Sequence, residues 1–343
     1  MSFFKTSAPV FLPDIDLYFK QDIDAARVLI DRLSASGAKY VKGAVIQNAD
    51  LCFDGDIQTS FLTESGVVSE RYRSVIERHI LPLKDTSKIY EYALLSDLDV
   101  VLTVYDYEGA VFAKDLGVSA LKIASSCITH LPLIKFCAKL NTPLIIDTGR
   151  ATMSEIAAAV EVANDSGVSS LLLQHSPPAP PNGVELHNLK MMRALGQTFG
   201  CEYGLSDHHD GNEMLIAATA LGASVLEKGI SSEGQCNDID LFHTACISQI
   251  EKIITSISNV HLALGETYRQ LDKSSFRHAD RMGLVAATDI QMGDLLSETN
   301  VRFAFALPEG YIGTEDYEKA LDSTVQVSIK KGEPITWNSI SVL

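Results

Sequence analysis

From about residue 9 to residue 260 the chain repeats one pattern: a short aliphatic or β-branched run, a turn, then a segment with apolar residues at helical spacing. Alternating strand and helix signals imply a parallel sheet covered by helices. Eight runs read as strands: Pro9 to Leu17, Tyr40 to Gln47, Val100 to Val104, Ala120 to Ala124, Leu144 to Asp147, Ser170 to Gln174, Cys201 to Leu205 and Ser224 to Glu227. Eight parallel strands are the number that closes a (β/α)8 TIM barrel. An open doubly wound sheet shares this rhythm but carries a glycine-rich phosphate loop after its first strand, and none is present here.

The segments between the runs carry helix punctuation. Thr152 and Ser154 precede EIAAAVEVAND, where a hydroxyl can accept from the unpaired amides of a first turn. Gly37, Gly117, Gly167 and Gly222 each precede the next strand, where glycine tolerates the left-handed conformation that ends a helix. The stretch from Leu51 to Asp97 is too long for one connection and contains SERYRSVIERHILPL, which reads as helical, so an elaborated second helix or an insertion is expected there. Beyond residue 262 the texture changes: 263–278 is polar and linker-like, and 279–343 reads as a small β-rich domain of short strands and turns.

Composition narrows the class of protein. A net charge of −16 from 44 acidic and 28 basic residues argues against a nucleic-acid or anionic-membrane binder. No run of about 18 apolar residues and no secretory leader pattern is present. The six cysteines show neither CxxC nor zinc-finger spacing and read as reduced thiols, which points to the cytoplasm.

In such a barrel, chemistry sits where strands end at the C-terminal face. The polar residues there are Asp14 and Asp16, Lys42, Thr103 and Asp106, Lys122 and Ser125, Asp147 and Thr148, Gln174 to Ser176, Ser206 to His208, and Lys228. Three lysines and several hydroxyls around one mouth suit a phosphorylated or carboxylated substrate. Rim lysines also snorkel and hydroxyls also cap helices, so each residue taken singly has a structural reading as well.

The strings KIASSCITHLPLIKFCAKLNTPLIIDTGRATMSEI, PAPPNGVELHNLKMMRALGQTFG, GLSDHHDGN and LGASVLEKG resemble, in order and spacing, the sialic acid (N-acetylneuraminate) synthase family. The tail from VAATDIQMGDLL to GEPITWNSI is similar to the antifreeze-like (SAF, β-clip) domain that ends those synthases. The resemblance implies a TIM barrel fused to that domain, in a domain-swapped homodimer. It implies condensation of phosphoenolpyruvate with an N-acyl sugar aldehyde, giving a 2-keto-3-deoxy sugar acid with release of phosphate. By matching position it implies Lys42, Lys122, Ser125, Thr148, Ser206 and Lys228 as phosphoenolpyruvate contacts, and His208 as a ligand to a divalent metal, manganese or magnesium.

Several family positions differ. The family's first-strand glutamate is matched only by the shorter Asp14, expected as a catalytic carboxylate beside His208, and the glutamine after the second-strand lysine is absent unless Gln47 reaches back. Where the family reads EKH this chain reads EKGI, so Gly229 removes the second metal histidine and any metal is expected to be held weakly or not at all. QHSPPAPP brings His175 toward the mouth, Arg150 follows TG, and FALPEG replaces the small domain's arginine signature with Arg302 several residues away, so these three are the expected acceptor-side contacts. Two other readings are a non-catalytic homologue that binds a phosphorylated sugar or a partner subunit, and a barrel aldolase or lyase working on another keto acid through a Schiff base on Lys122 or Lys228.

Overall fold

The structure, a computed structural model, describes all residues except 1–3, 5–7, 17, 64–65, 178–182, 233–237, 240, 269–279 and 342–343. Two compact units divide the chain, Met1–Gly265 and Glu266–Leu343.

In the first unit the barrel strands are β1 (Val10–Asp14), β2 (Tyr40–Ala44), β5 (Asp99–Thr103), β6 (Ala120–Ile123), β7 (Leu144–Asp147), β8 (Leu171–His175), β9 (Glu202–Asp207) and β10 (Val225–Ser231). They pair in parallel in that order and β1 pairs with β10, so eight strands close the barrel as expected, with the short β11 (Ala245–Cys246) added beside β10. Helices α1 (Ile23–Ala35), α3 (Leu83–Leu95), α4 (Tyr107–Leu116), α5 (Leu131–Ala138), α6 (Met153–Asp165), α7 (Lys190–Phe199), α8 (Glu213–Ala220) and α9 (Ile250–Leu264) intervene. Thr152 caps α6 in a reciprocal box with Glu155, and Gly37, Gly117, Gly167 and Gly222 all take positive φ at helix ends. Leu17, in the expected first strand, and residues 269–278 of the expected linker lie outside the described residues; α9 runs to Leu264, past the expected linker start.

The insertion differs from its expected form. Gln58–Thr63 (β3) and Gly66–Arg71 (β4) pair as an antiparallel hairpin, so Ser69 to Arg71 of the expected helix are strand and only Tyr72–Glu77 (α2) is helical. The β-branched Val67 and Val68 pair across from Leu62 and Phe61, which outweighs the helical spacing of the charged residues that follow. Arg78 then donates to Glu70 on the hairpin and to Asp238 in the loop after β10, and the His79 ring bonds the same Asp238 carboxylate. This anchors the insertion to the wall of the mouth.

Period-two alternation sorts each barrel strand into a helix-facing and a lumen-facing set. The lumen is plugged by Val10, Leu12, Val101, Ala120, Ile145, Leu172 and Val225, with Phe4 packed against them. Gly204 is the lumen-facing residue of β9 at this level, where an added Cβ would stand 2.4 Å from the Val225 carbonyl oxygen on the paired strand. A small residue is needed because two backbones meet there.

In the second unit, β12 (Gly283–Ala286) pairs antiparallel with β13 (Val301–Ala304), and β14 (Thr324–Val325) with β15 (Ile340–Ser341). Its own core gathers Leu284, Ile290, Leu296, Ile312, Val325 and Ile335. No helix among the described residues is long and apolar enough to cross a membrane.

Gly204→Ala is expected to destabilise the barrel by about 1–3 kcal/mol, because the clash is with backbone and not with a side-chain end. In a domain this large that lowers the melting temperature by several degrees. An unchanged thermal melt followed by circular dichroism would refute the close approach.

Candidate active site

Two residues beyond the plug, every barrel strand aims one polar side chain into the lumen: Asp14, Lys42, Thr103, Lys122, Asp147, Gln174, Ser206 and Glu227. All eight are 5% exposed or less. Buried charges at this density persist only when each finds partners.

Lys122 reaches both oxygens of Glu227 at 2.6 and 2.8 Å and Asp147 Oδ2 at 3.3 Å. Lys42 donates to Asp14 Oδ2 at 2.6 Å and stands 4.0 Å from Glu227. Ser206 Oγ donates to Glu227 at 3.1 Å. Two ammonium groups are thus shared among three carboxylates. Burial pushes Glu227 up, but Lys122 and Lys42 outweigh it and hold the carboxyl far below its usual range. Asp14 goes the other way: burial, with Asp16 and Glu227 nearby, overcomes the attraction of Lys42 and raises it to about 8. Lys42, drawn down by burial but surrounded by Asp14, Asp16 and Glu227, stays firmly an ammonium. Thr103 Oγ1 and Gln174 Oε1 are buried without a hydrogen-bond partner.

Above this ring, toward β6, β7 and β8, a Cβ added at Gly149 would fall 2.9 Å from Ser125 Oγ and 2.8 Å from Ser176 Oγ. Ser176 donates to Asp147 Oδ1 at 2.5 Å, which links this hydroxyl pocket to Lys122. On the opposite side a recess of about 20 Å3 is lined by Asp14, Tyr18, Ser206, Asp207, His208, Glu227, Gly229 and His243.

Of the residues expected from sequence, Asp14, Lys42, Lys122 and Ser206 stand together in the ring, with His208 at the adjoining recess and Ser125 in the hydroxyl pocket. Thr148 is buried and gives its hydroxyl to the Gln174 carbonyl at 3.2 Å. Lys228 does not join them. Strand β10 extends to Ser231, so its alternation turns Glu227 into the lumen and Lys228 toward the helices, where its Nζ is held by Asp207 Oδ2 at 3.0 Å and by the carbonyls of His209 and Gly211. His175, also helix-facing, donates from Nε2 to the His187 carbonyl at 2.7 Å, and burial lowers its pKa. It braces a loop. Pro178 to Pro181 of that loop's QHSPPAPP run lie outside the described residues. Gln47 does not reach back to the ring; it donates to Asp106 at 2.7 Å. Arg150 is exposed after β7, and Arg302 is exposed on β13 of the second unit. Glu227, Tyr18 and His243 were not singled out from sequence. For Glu227 a signal existed, a carboxylate inside the apolar run SVLEKG at the same parity as Val225.

The residues at the recess do not fit a divalent metal. Among the described residues no group of three His, Cys, Asp or Glu side chains forms a ligand set. His208 turns Nδ1 to the Ser206 carbonyl at 3.2 Å. Gly229 does face the recess, but a side chain begun there would stand 2.9 Å from Thr244 Cγ2 and 3.4 Å from the Tyr18 ring and hydroxyl. A side chain at 229 would have to displace the Thr244 methyl group.

A closed (β/α)8 barrel with a buried layer of lysines and carboxylates at its C-terminal mouth, followed by a separate small β unit, defines the class of protein. Within it the chain belongs to the NeuB family, whose model matches residues 29–269, and an SAF domain matches residues 281–341. It is 29% identical over 323 residues to the N,N'-diacetyllegionaminic acid synthase of Campylobacter jejuni, covering 92% of this chain and 95% of that one. It is 25% identical over 335 residues to the pseudaminic acid synthase of Helicobacter pylori, covering 97% and 98%. The crystal structure of an N-acetylneuraminic acid synthetase from Leptospira borgpetersenii superposes with a TM-score of 0.69 at 22% identity, over 79% of this chain and 90% of that one.

Glu227→Gln leaves Lys122 with Asp147 as its remaining carboxylate, and is expected to cost about 3 kcal/mol. Urea unfolding of the variant measures this. A loss below ~0.5 kcal/mol would mean that Glu227 is not the balancing charge of the ring.

Proposed function

We propose that the barrel condenses phosphoenolpyruvate with an N-acyl sugar aldehyde or a related acceptor, giving a 2-keto-3-deoxy sugar acid of the sialic acid type. The observation that carries this reading is the buried ring with Lys42 and Lys122 in one layer, in a chain otherwise strongly acidic. A compact anion entering there exchanges places with the carboxylates that hold the lysines. Thr103, Gln174 and Ser206 add neutral groups in the same layer, and Ser125 and Ser176 line the adjacent pocket. Family membership and the names of the relatives support the same chemistry. Imine formation fits less well, because Lys122 is ion-paired with Glu227 and Lys228 with Asp207, and a Schiff base needs a neutral amine. The reading also carries a cytoplasmic homodimer as its expected setting.

In the proposed reaction C3 of phosphoenolpyruvate attacks the aldehyde carbon, and the carbonyl electron pair moves to oxygen, which takes a proton. Water adds at C2, and the bond from C2 to the phosphate oxygen breaks to release phosphate. The lysines hold the carboxylate and phosphate in register, which is the positioning and electrostatic part of catalysis.

Purified protein incubated with phosphoenolpyruvate and a panel of N-acyl hexosamines is expected to release phosphate only when an acceptor is present. Binding of phosphoenolpyruvate without release from any acceptor would favour a non-catalytic homologue, and absence of binding would overturn the reading.

Affinity for phosphoenolpyruvate should also depend on pH. Below about 8 Asp14 is neutral and leaves Lys42 to the incoming anion; above it the carboxylate competes for Lys42 and repels the ligand. Calorimetric affinity is expected to fall roughly tenfold between pH 7 and 9, and Asp14→Asn should flatten the profile. A wild-type profile that is already flat would refute this.

A further inference from the structure

Resting on the function just proposed, we infer that the acceptor's carbonyl oxygen is received in the recess by His243 and the Asp14–Lys42 pair, in place of a divalent metal. Three observations converge on this. First, position 229 offers no ligand atom, and a side chain begun there would meet Thr244 Cγ2 at 2.9 Å. Second, the recess of about 20 Å3 has room for one oxygen-sized group. Among the described residues no three His, Cys, Asp or Glu side chains are gathered there as a ligand set.

Third, His243 lines the recess from the segment after β10. It is 8% exposed, and its Nδ1 is buried with no hydrogen-bond partner. Burial, with His208 and Lys228 nearby, lowers its pKa to about 4, so the imidazole is neutral and has one N–H to give. A buried unpaired imidazole nitrogen is costly, and a ring that lines the recess can turn an N–H to an oxygen seated there.

The electron and proton balance needs no co-reactant. As C3 of phosphoenolpyruvate bonds to the aldehyde carbon, the carbonyl π pair becomes an oxygen lone pair, and the proton it gains comes from the Asp14–Lys42 pair. His243 donates a hydrogen bond to that oxygen throughout and keeps its proton. The added water gives one proton back to the pair and the other to the phosphate as the C2–O bond breaks, and its oxygen becomes the new keto oxygen.

Two measurements test the inference, one of them independent of turnover. Titration of Mn2+ followed by electron paramagnetic resonance is expected to show no site tighter than about 1 mM, with the same curve for His208→Gln. A stoichiometric micromolar site that disappears in His208→Gln would overturn it. Acceptor-dependent phosphate release is expected to proceed equally in EDTA and in added Mn2+. Release that is lost in EDTA and restored by Mn2+ would also overturn it. His243→Ala should lower kcat by about 100-fold while leaving phosphoenolpyruvate affinity unchanged, with His243→Gln, which keeps an N–H donor, recovering part of the loss. A kcat unchanged in a His243→Ala protein that melts like the native one would remove His243 from the proposal. Absence of phosphate release in every condition would instead sink the synthase reading itself, while the manganese titration would still decide the metal.

Discussion

Charge balance in one buried layer is the constraint on which this barrel depends. Closure of eight strands forces every second residue inward, and burial removes the charges placed there from bulk solvent. Below the layer the inward residues are aliphatic and close the barrel as a plug. One step higher they include two lysines and three carboxylates, which are tolerable only as a set. The set is asymmetric. Glu227 is firmly an anion because it faces both lysines, whereas Asp14 shares one lysine with the field of two other carboxylates and retains its proton more readily. A layer with one carboxyl poised in this way can accept an incoming anion by shifting a proton rather than by rebuilding its backbone.

Much of this was legible in the sequence. Strand and helix order follows from the alternating rhythm, because a parallel barrel buries both faces of each strand and reads as aliphatic runs. The helix-ending glycines and the Thr152 box were legible because their chemistry is local. Position within a strand was less so. Ending the eighth strand at Glu227 made Lys228 the residue just beyond it, whereas the strand continues to Ser231 and places Lys228 on the helix side with Asp207. A strand boundary error of a few residues leaves the fold intact but exchanges the two faces of every side chain counted from it. The reliable count runs upward from the plug: Val225 is inward, therefore Glu227 is inward.

The insertion escaped for a different reason. SERYRSVIERHILPL has helical spacing, yet its first residues are drawn into a hairpin by Val67 and Val68 across from Leu62 and Phe61. Arg78, His79 and Asp238 then link segments about 160 residues apart, a contact that no local pattern announces. Tyr18 and His243 belong to the same kind: both reach the recess from loops, and their importance comes only from what stands opposite them.

The ring and the rim are therefore under different physical rules. Within the ring, each charged residue is a partner of another, so removing one strands a charge in the lumen and the members can change only together. At the rim, Gly229, Tyr18, Thr244 and His243 meet by packing and single hydrogen bonds, and each can be exchanged at modest cost. Lumen lysines locked to carboxylates, beside a recess where Gly229 is lined by Tyr18 and His243, show the two rules side by side. For the reaction proposed here it means that the ring and the recess meet at Asp14, Ser206 and Glu227, and that a change at position 229 alters the recess without removing a charge from the ring.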